Sequence, residues 1–199
     1  IREFVQEHKI ECDWRDAGEV EVATEEYQVI ALGAAARTAN ASGEEFIFET
    51  ADQVRHRLNS PRFQAANFEP HTVAMVNPAQ LAQGLAKLAV KNGVEIFENS
   101  PASKITRSRN RFEVEVNNTQ VTATKIALAT KAFRSPIAAV RRRIVPVFDY
   151  QVATEIIPEN KWAELGWDGF EGFRDAGNQF HYFRRTADNR ILFGGYDAV

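Results

Sequence analysis

The hydrophobic pattern changes period several times along the chain. Residues 1–10 carry Ile1, Phe4, Val5 and His8 on one helical stripe. After the turn-like Asp16-Ala17-Gly18, Val20 and Val22 alternate with Glu19 and Glu21, which predicts a half-buried strand. Thr24 ahead of Glu25-Glu26 predicts a helix start. An apolar stripe of Tyr27, Val29, Ile30, Ala34 and Ala35 then runs to about Asn40, with Gly43 beyond the helix end. Phe46-Ile47-Phe48 reads as a short strand, and Thr50 as the cap of a helix over 51–58 that Ser60-Pro61 stops. Residues 61–76, with Pro61, Pro70 and no period, read as loop with short strands.

The clearest helix starts at Asn77. A side-chain cap, Pro78 at the first helical position, Gln80 three residues after the cap, and Leu81, Leu85, Leu88 and Ala89 on one face all agree. Asn92-Gly93 closes it, and 94–97 predict a strand. Phe112–Val116 alternates apolar residues with Glu, Asn117-Asn118 can turn, and 119–122 return as a hairpin. Residues 126–129 are apolar without alternation, the pattern of a strand buried on both faces. Beyond Arg141-Arg142-Arg143, a strand is predicted over 144–154 and a short helix with Trp162 between Pro158 and Gly166. A hairpin of 180–185 with 190–193 follows, around Ala187-Asp188-Asn189.

Residues 77–135 thus read as α/β, and their flanks as antiparallel strands with a few helices. The expected fold is a mixed α+β and α/β architecture in which two lobes exchange chain. Residues 1–76 and 136–199 belong to one lobe and 77–135 to the other.

Composition narrows the function classes. Among 199 residues, 24 Lys and Arg face 27 Asp and Glu for a net charge of −3, and 44% are hydrophobic. Such a chain is an ordinary globular protein, not a disordered segment or a basic nucleic-acid binder. No apolar run approaches the roughly 20 residues of a membrane helix, so neither nucleic acid nor a membrane is an expected partner. The single Cys12 leaves no intrachain disulfide or thiolate zinc cluster and suits a reducing, cytoplasmic compartment. The four histidines, His8, His56, His71 and His181, are not at ligand spacing, so no metal is expected. A start at Ile1-Arg2, without Met or a signal pattern, reads as a piece of something longer.

Phosphate loops, a zinc helix motif and a serine elbow are absent from the sequence. Gly33-Ala34-Ala35-Ala36 lies inside a helical stripe and reads as packing surface; the Arg141–Arg143 run reads as a solvated turn. The pattern alone gives a globular α/β piece without a catalytic motif.

Several stretches together carry a resemblance. Val76-Asn77-Pro78-Ala79-Gln80-Leu81 through Gly93-Val94-Glu95-Ile96 resembles a segment of the FAD-dependent amine and amino-acid oxidases, the D-amino acid oxidase family. Ser100-Pro101-Ala102, the 112–122 hairpin and Lys125-Ile126-Ala127-Leu128-Ala129-Thr130 follow in the family's order. Val145–Tyr150, Asp175–Arg185 and Ile191-Leu192-Phe193-Gly194-Gly195 are similar to substrate-lobe strands of the γ-glutamylputrescine oxidase-like branch.

The resemblance implies a middle fragment. It would hold a substrate lobe with a large mixed, mainly antiparallel sheet (1–76 and 136–199) and part of an FAD lobe (77–135). Ala102, Ala129, Thr130 and Lys131 would face the cofactor, Lys131 standing where many members have Gly or Asn. The family's N-terminal dinucleotide fingerprint and C-terminal flavin segment are missing. FAD is therefore not expected to stay bound to this fragment, nor the fragment to be active. The parent reaction would be oxidation of the C–N bond of a small-molecule amine or amino acid to an imine. A non-catalytic binding module, and a flavin dehydrogenase using an acceptor other than O2, are the alternatives. Strand alternation puts Phe180, Tyr182 and Arg184 on one face and His181, Phe183 and Arg185 on the other. The resembled family presents a tyrosine to the substrate from the strand before its Gly-Gly strand. Tyr182 holds that place, Arg184 would meet an acidic group, and His181 competes if the register slips by one.

Overall fold

The computed structural model describes residues 1–195. In chain order its elements are α1 (Arg2–Glu7), β1 (Glu19–Ala23), α2 (Glu26–Ala41), β2 (Ile47–Thr50), α3 (Ala51–Arg57), β3 (Ala65–Glu69), α4 (Pro78–Lys91), β4 (Ala102–Ser108), β5 (Arg111–Val116), β6 (Thr119–Ala123), α5 (Ala138–Arg141), β7 (Tyr150–Ala153), α6 (Glu159–Leu165), β8 (Gly172–Asp175), β9 (His181–Arg185) and β10 (Ile191–Gly195). They divide into two units: residues 1–89 with 149–195, and residues 90–148. The second substrate-lobe segment expected over 136–199 ends on residues that lie outside those described.

The first unit is built on a seven-stranded sheet in the order β2-β3-β1-β8-β9-β10-β7. Only β1 and β8 run parallel; every other neighbouring pair is antiparallel. The register lines up Ile47, Phe68, Val20, Phe173, Phe183, Phe193 and Val152 as one apolar row across all seven strands. Phe173 and Phe183 stack with ring centroids 5.2 Å apart, and Trp167 meets both edge-on. Around this row Val54, Leu58, Phe63, Trp162 and Trp167 complete the main core. Truncating such a tryptophan to Ala costs about 3–5 kcal/mol.

One residue along each strand, the other face carries a polar row: Phe48, Asn67, Glu21, Arg174, Tyr182, Gly194 and Gln151. Helix α2 packs on β1, β2 and β3, and Asn67 Nδ2 donates to the Leu32 carbonyl at 2.9 Å. Leu32 there meets Ala23 and Ala65 in a smaller core.

Most helix ends follow the expected chemistry. Thr50 and Gln53 form a reciprocal capping box on α3, the Gln80 N–H donates to Asn77 Oδ1 at the start of α4, and α6 stops at Gly166 with φ +64°. Helix α2 departs from expectation. Its cap is Glu25 rather than Thr24, and Gln28, Leu32 and Ala36 face inward, leaving Tyr27 and Ile30 72% and 76% exposed. Gln28 Oε1 accepts the N–H groups of Thr24 and Glu25, so the first turn buries a polar side chain and rotates the apolar stripe outward.

The second unit contains an antiparallel meander, β4-β5-β6, turned at Asn117 with φ +52°. Strand β4 was not foreseen, because its exposed Ser103, Lys104, Thr106 and Arg107 show no apolar alternation. Residues 94–97 and 126–129 are not strands. Unalternating apolar runs become strands when other strands flank them, and none pairs with either run among the described residues. The strand expected over 144–154 shortens to Tyr150–Ala153, since Pro146 interrupts it. The turn expected at Arg141–Arg143 is instead preceded by the short α5.

Candidate functional site

The polar row gives Tyr182 its setting. Strands lie about 4.8 Å apart, so a side chain on β9 reaches β7 only by crossing β10. Gly194 stands directly between them, paired with Tyr182 on one side and Gln151 on the other. A Cβ at Gly194 would fall 2.5 Å from the Tyr182 hydroxyl and 2.7 Å from its ring carbon Cε2. The missing side chain is the gap through which the ring passes. At its far end the hydroxyl donates to Asp149 and accepts from Gln151 Nε2 at 2.8 Å. Burial, then the Asp149 carboxylate, hold the phenol above its usual range, while the Gln151 bond works the other way. Asp149 and Gln151 are exposed, and Asp149 has no cationic partner among the described residues. On the β8 side, Arg174 binds Glu19 at 3.2 Å and Glu21 at 3.1 Å, so its charge is spent on those acids.

His181 lies on the opposite face, the face of the apolar row, two residues before Phe183 on β9. Its Nδ1 is 2.8 Å from Asp175 Oδ2, and its backbone N–H donates to the same oxygen at 3.1 Å. Burial pushes the Asp175 carboxyl up, but the bonds from His181 and from the Gly177 N–H together leave it lowered. Gly195 makes room for this ring, since a Cβ there would meet His181 Cδ2 at 2.9 Å. The two glycines thus each accommodate one candidate side chain, on opposite faces. Arg184 follows Tyr182 on its own face and lines a groove that neither Tyr182 nor His181 lines. Sequence reasoning reached Tyr182, His181 and Arg184 but missed Asp149 and Gln151, which meet Tyr182 only through strand order, and Asp175, which meets His181 across the β8–β9 turn. The Gly-Gly pair was the one available signal.

The four candidate cofactor residues lie in the second unit. Ala102 opens β4 and is exposed; Ala129 and Lys131 are exposed and Thr130 is half-buried. Lys131 sits at φ +47° in a turn closed by the Phe133 N–H on the Thr130 carbonyl at 2.9 Å. That conformation explains why Gly or Asn suits the position. No glycine occurs between residues 94 and 165, so these residues offer no glycine-built phosphate cradle. The residues described here do not by themselves fit an entire FAD.

Comparison with known proteins agrees with the fold. A probable oxidoreductase OrdL of Haemophilus influenzae is 26% identical over 204 residues, covering 98% of this chain and 46% of the relative. The gamma-glutamylputrescine oxidoreductase of Escherichia coli is 27% identical over 198 residues, with the same coverages. The chain thus spans about half the length of the curated relatives it matches. Among solved structures, glycine oxidase from Geobacillus kaustophilus superposes with a TM-score of 0.77 at 18% identity, over 98% of this chain and 51% of that one. L-proline dehydrogenase from P. horikoshii gives 0.78 at 16%, over 100% and 53%. A family model described as DAO, FAD dependent oxidoreductase, matches residues 1–199. With its large mixed sheet and these relatives, the chain belongs to the DAO family of FAD dependent oxidoreductases.

Proposed function

We propose that the protein carrying this chain oxidises the C–N bond of a small amine or amino acid to an imine, which water then hydrolyses. The carrying observation is the polar row in which Tyr182 crosses Gly194 to an exposed amide on β7, Gln151, and an exposed carboxylate just before it, Asp149. Family membership supports FAD as the cofactor, and the name of the Escherichia coli relative supports an amine-class substrate. Oxidation removes a hydride equivalent from carbon and a proton from nitrogen, so the amine must be neutral when it reacts. The Tyr182 ring excludes water from one side of the substrate. Its hydroxyl, held by Asp149, offers lone pairs to a substrate N–H. Arg184, on the same face of β9, meets an acidic group; His181, oriented by Asp175 on the opposite face, is the competing candidate for the role of Tyr182.

In this reading the first unit is the substrate lobe and the second is part of the FAD lobe, with Ala102, Ala129, Thr130 and Lys131 as cofactor contacts. The buried, unpaired Cys12 supports a cytoplasmic setting. Among the described residues no helix is long and apolar enough to cross a membrane. The 199-residue chain alone is inactive in this reading, and a stoichiometric visible flavin band on it would contradict that. The test of function is Tyr182→Phe in the whole flavoprotein. Losing one hydrogen bond to a charged group costs about 1.5–3 kcal/mol, roughly tenfold or more in kcat/KM. Wild-type kinetics in Tyr182→Phe and Tyr182→Ala, with loss in His181→Ala, would move the role to His181. Oxygen uptake against turnover with an artificial acceptor separates oxidase from dehydrogenase.

A further inference from the structure

We infer that the first unit carries an oxyanion-binding groove between the 13–15 loop, the start of α4 and the β9–β10 turn, with Arg15 and Arg184 as its cationic ligands. The groove encloses about 350 Å³ and is lined by Arg15, Met75, Asn77, Gln80, Arg184 and Thr186. The Arg184 side chain makes no hydrogen bond or ion pair among the described residues, although it is half-buried. Arg15 is also without an acid among the described residues; its guanidinium carbon lies over the Phe170 ring, 3.7 Å from the centroid. A ring face holds a guanidinium in place while leaving its N–H edges free, which is the geometry for bidentate oxyanion binding.

A third arginine supplies the field. Arg185 is 8% exposed and is held by neutral acceptors: Asn189 Oδ1 at 2.6 Å and the Trp167 carbonyl at 3.4 Å. Its guanidinium also lies over Trp162 at 4.2 Å and over Phe170 at 4.9 Å from the ring centroids. The nearest carboxylate, Glu159, is 3.8 Å away and largely solvated. A buried charge whose one acidic partner is long-range and solvated keeps most of its field toward the groove. Two acids also line the groove. Asp188 has both oxygens engaged, by Thr186 Oγ1 at 2.6 Å and Arg190 Nε at 2.8 Å. Asp13 is exposed on the rim and opposes an anion there.

The ligand chemistry is a carboxylate or phosphate. It can come from a free small anion or from the acidic end of a longer substrate. The inference extends the role given to Arg184 above, but direct binding keeps the two apart: a groove that binds anions in a protein that oxidises no amine would leave it standing. The experiment titrates the whole protein carrying this chain with inorganic phosphate and, separately, glutarate, following arginine side-chain N–H signals by NMR. Saturable shifts of the Arg184 and Arg15 signals are expected, with affinity at least tenfold weaker in Arg184→Gln and stronger in Asp13→Asn. Tighter binding of glutarate than phosphate assigns the groove to a substrate's acidic end, and the reverse to a free anion. Arg15→Gln should weaken binding alike; if it unfolds through loss of the Phe170 stack, Arg184→Gln and Asp13→Asn still decide. No saturable shift with either probe, or unchanged affinity in Arg184→Gln, overturns the inference.

Discussion

Replacing Gly194 by Ala tests the idea that the second-last residue of β10 is glycine because Tyr182 crosses it. The new methyl would sit 2.5 Å from the hydroxyl and 2.7 Å from Cε2, far inside van der Waals contact. Backbone pairing fixes Gly194 on both sides, so the ring must yield. Swinging it away breaks the bonds to Asp149 and Gln151. Two partly exposed hydrogen bonds at roughly 0.5–1.5 kcal/mol each, offset by the roughly 0.5–1 kcal/mol that Ala gains over Gly in a strand, give a net loss of about 0–2.5 kcal/mol, centred on ~1 kcal/mol. Urea denaturation measures it, and ultraviolet titration of the phenol should show Tyr182 returning toward its ordinary range. The control is a double-mutant cycle. With Tyr182 already replaced by Ala, Gly194→Ala should be neutral or stabilising. If it costs the same in both backgrounds, the glycine serves the backbone and the gap explanation is wrong.

Three further outcomes follow from other contacts. Glu49 is buried and held by Arg57 Nε at 2.7 and 2.9 Å, so Arg57→Met should cost about 3 kcal/mol, and adding Glu49→Gln should recover most of it in the same denaturation assay; no recovery would place the loss in the packing of Arg57 over the Phe68 ring, 3.8 Å from its centroid. Asp175 has a lowered carboxyl in the folded state. Its contribution is therefore fully present above the ordinary Asp range, about pH 4, and lost as pH falls through the lowered value; the stability gap between wild type and Asp175→Asn should shrink between pH 5 and pH 2, and a constant gap would refute the assignment. Lys131 at φ +47° should be relieved by Lys131→Gly, raising stability by about 1 kcal/mol, whereas a destabilised variant would mean that the lysine side chain earns its place by contact.

What the sequence made legible was local. Asn77, Pro78 and Gln80 announce α4 because cap chemistry is read within four residues, and alternation in Glu19–Val22 and 181–185 assigns faces correctly. Strand β3 was only half visible, since Ala65-Ala66-Asn67 is small and non-periodic between two prolines, yet Ala65 and Ala66 are wholly buried. The runs 94–97 and 126–129 misled for the opposite reason: their apolarity describes a demand for neighbours, not the neighbours themselves. At the candidate site, Tyr182 was reachable from its strand, but Asp149 and Gln151 lie 33 and 31 residues away. They become partners only because the strand order is β9-β10-β7, which no local pattern encodes. Arg184 and Arg15 share a groove across a still longer separation.

The parallel pairing of β1 with β8 has a consequence for how the chain folds. Glu19 meets Gly172, and Val22 meets Asp175. Closing a loop of some 150 residues costs about 4–5 kcal/mol of chain entropy by the logarithmic law, and it must be met before the contacts it creates form. During synthesis, β1, β2 and β3 with α2 and α3 emerge well before β8, and β1 then waits at a sheet edge with Val20 and Val22 unburied. Residues 90–148 pass in the meantime, and their meander can form locally because each of its strands pairs with the next. Strand β8, followed by β9 and β10, covers the waiting edge, so nascent chains stopped before residue 172 should be aggregation-prone.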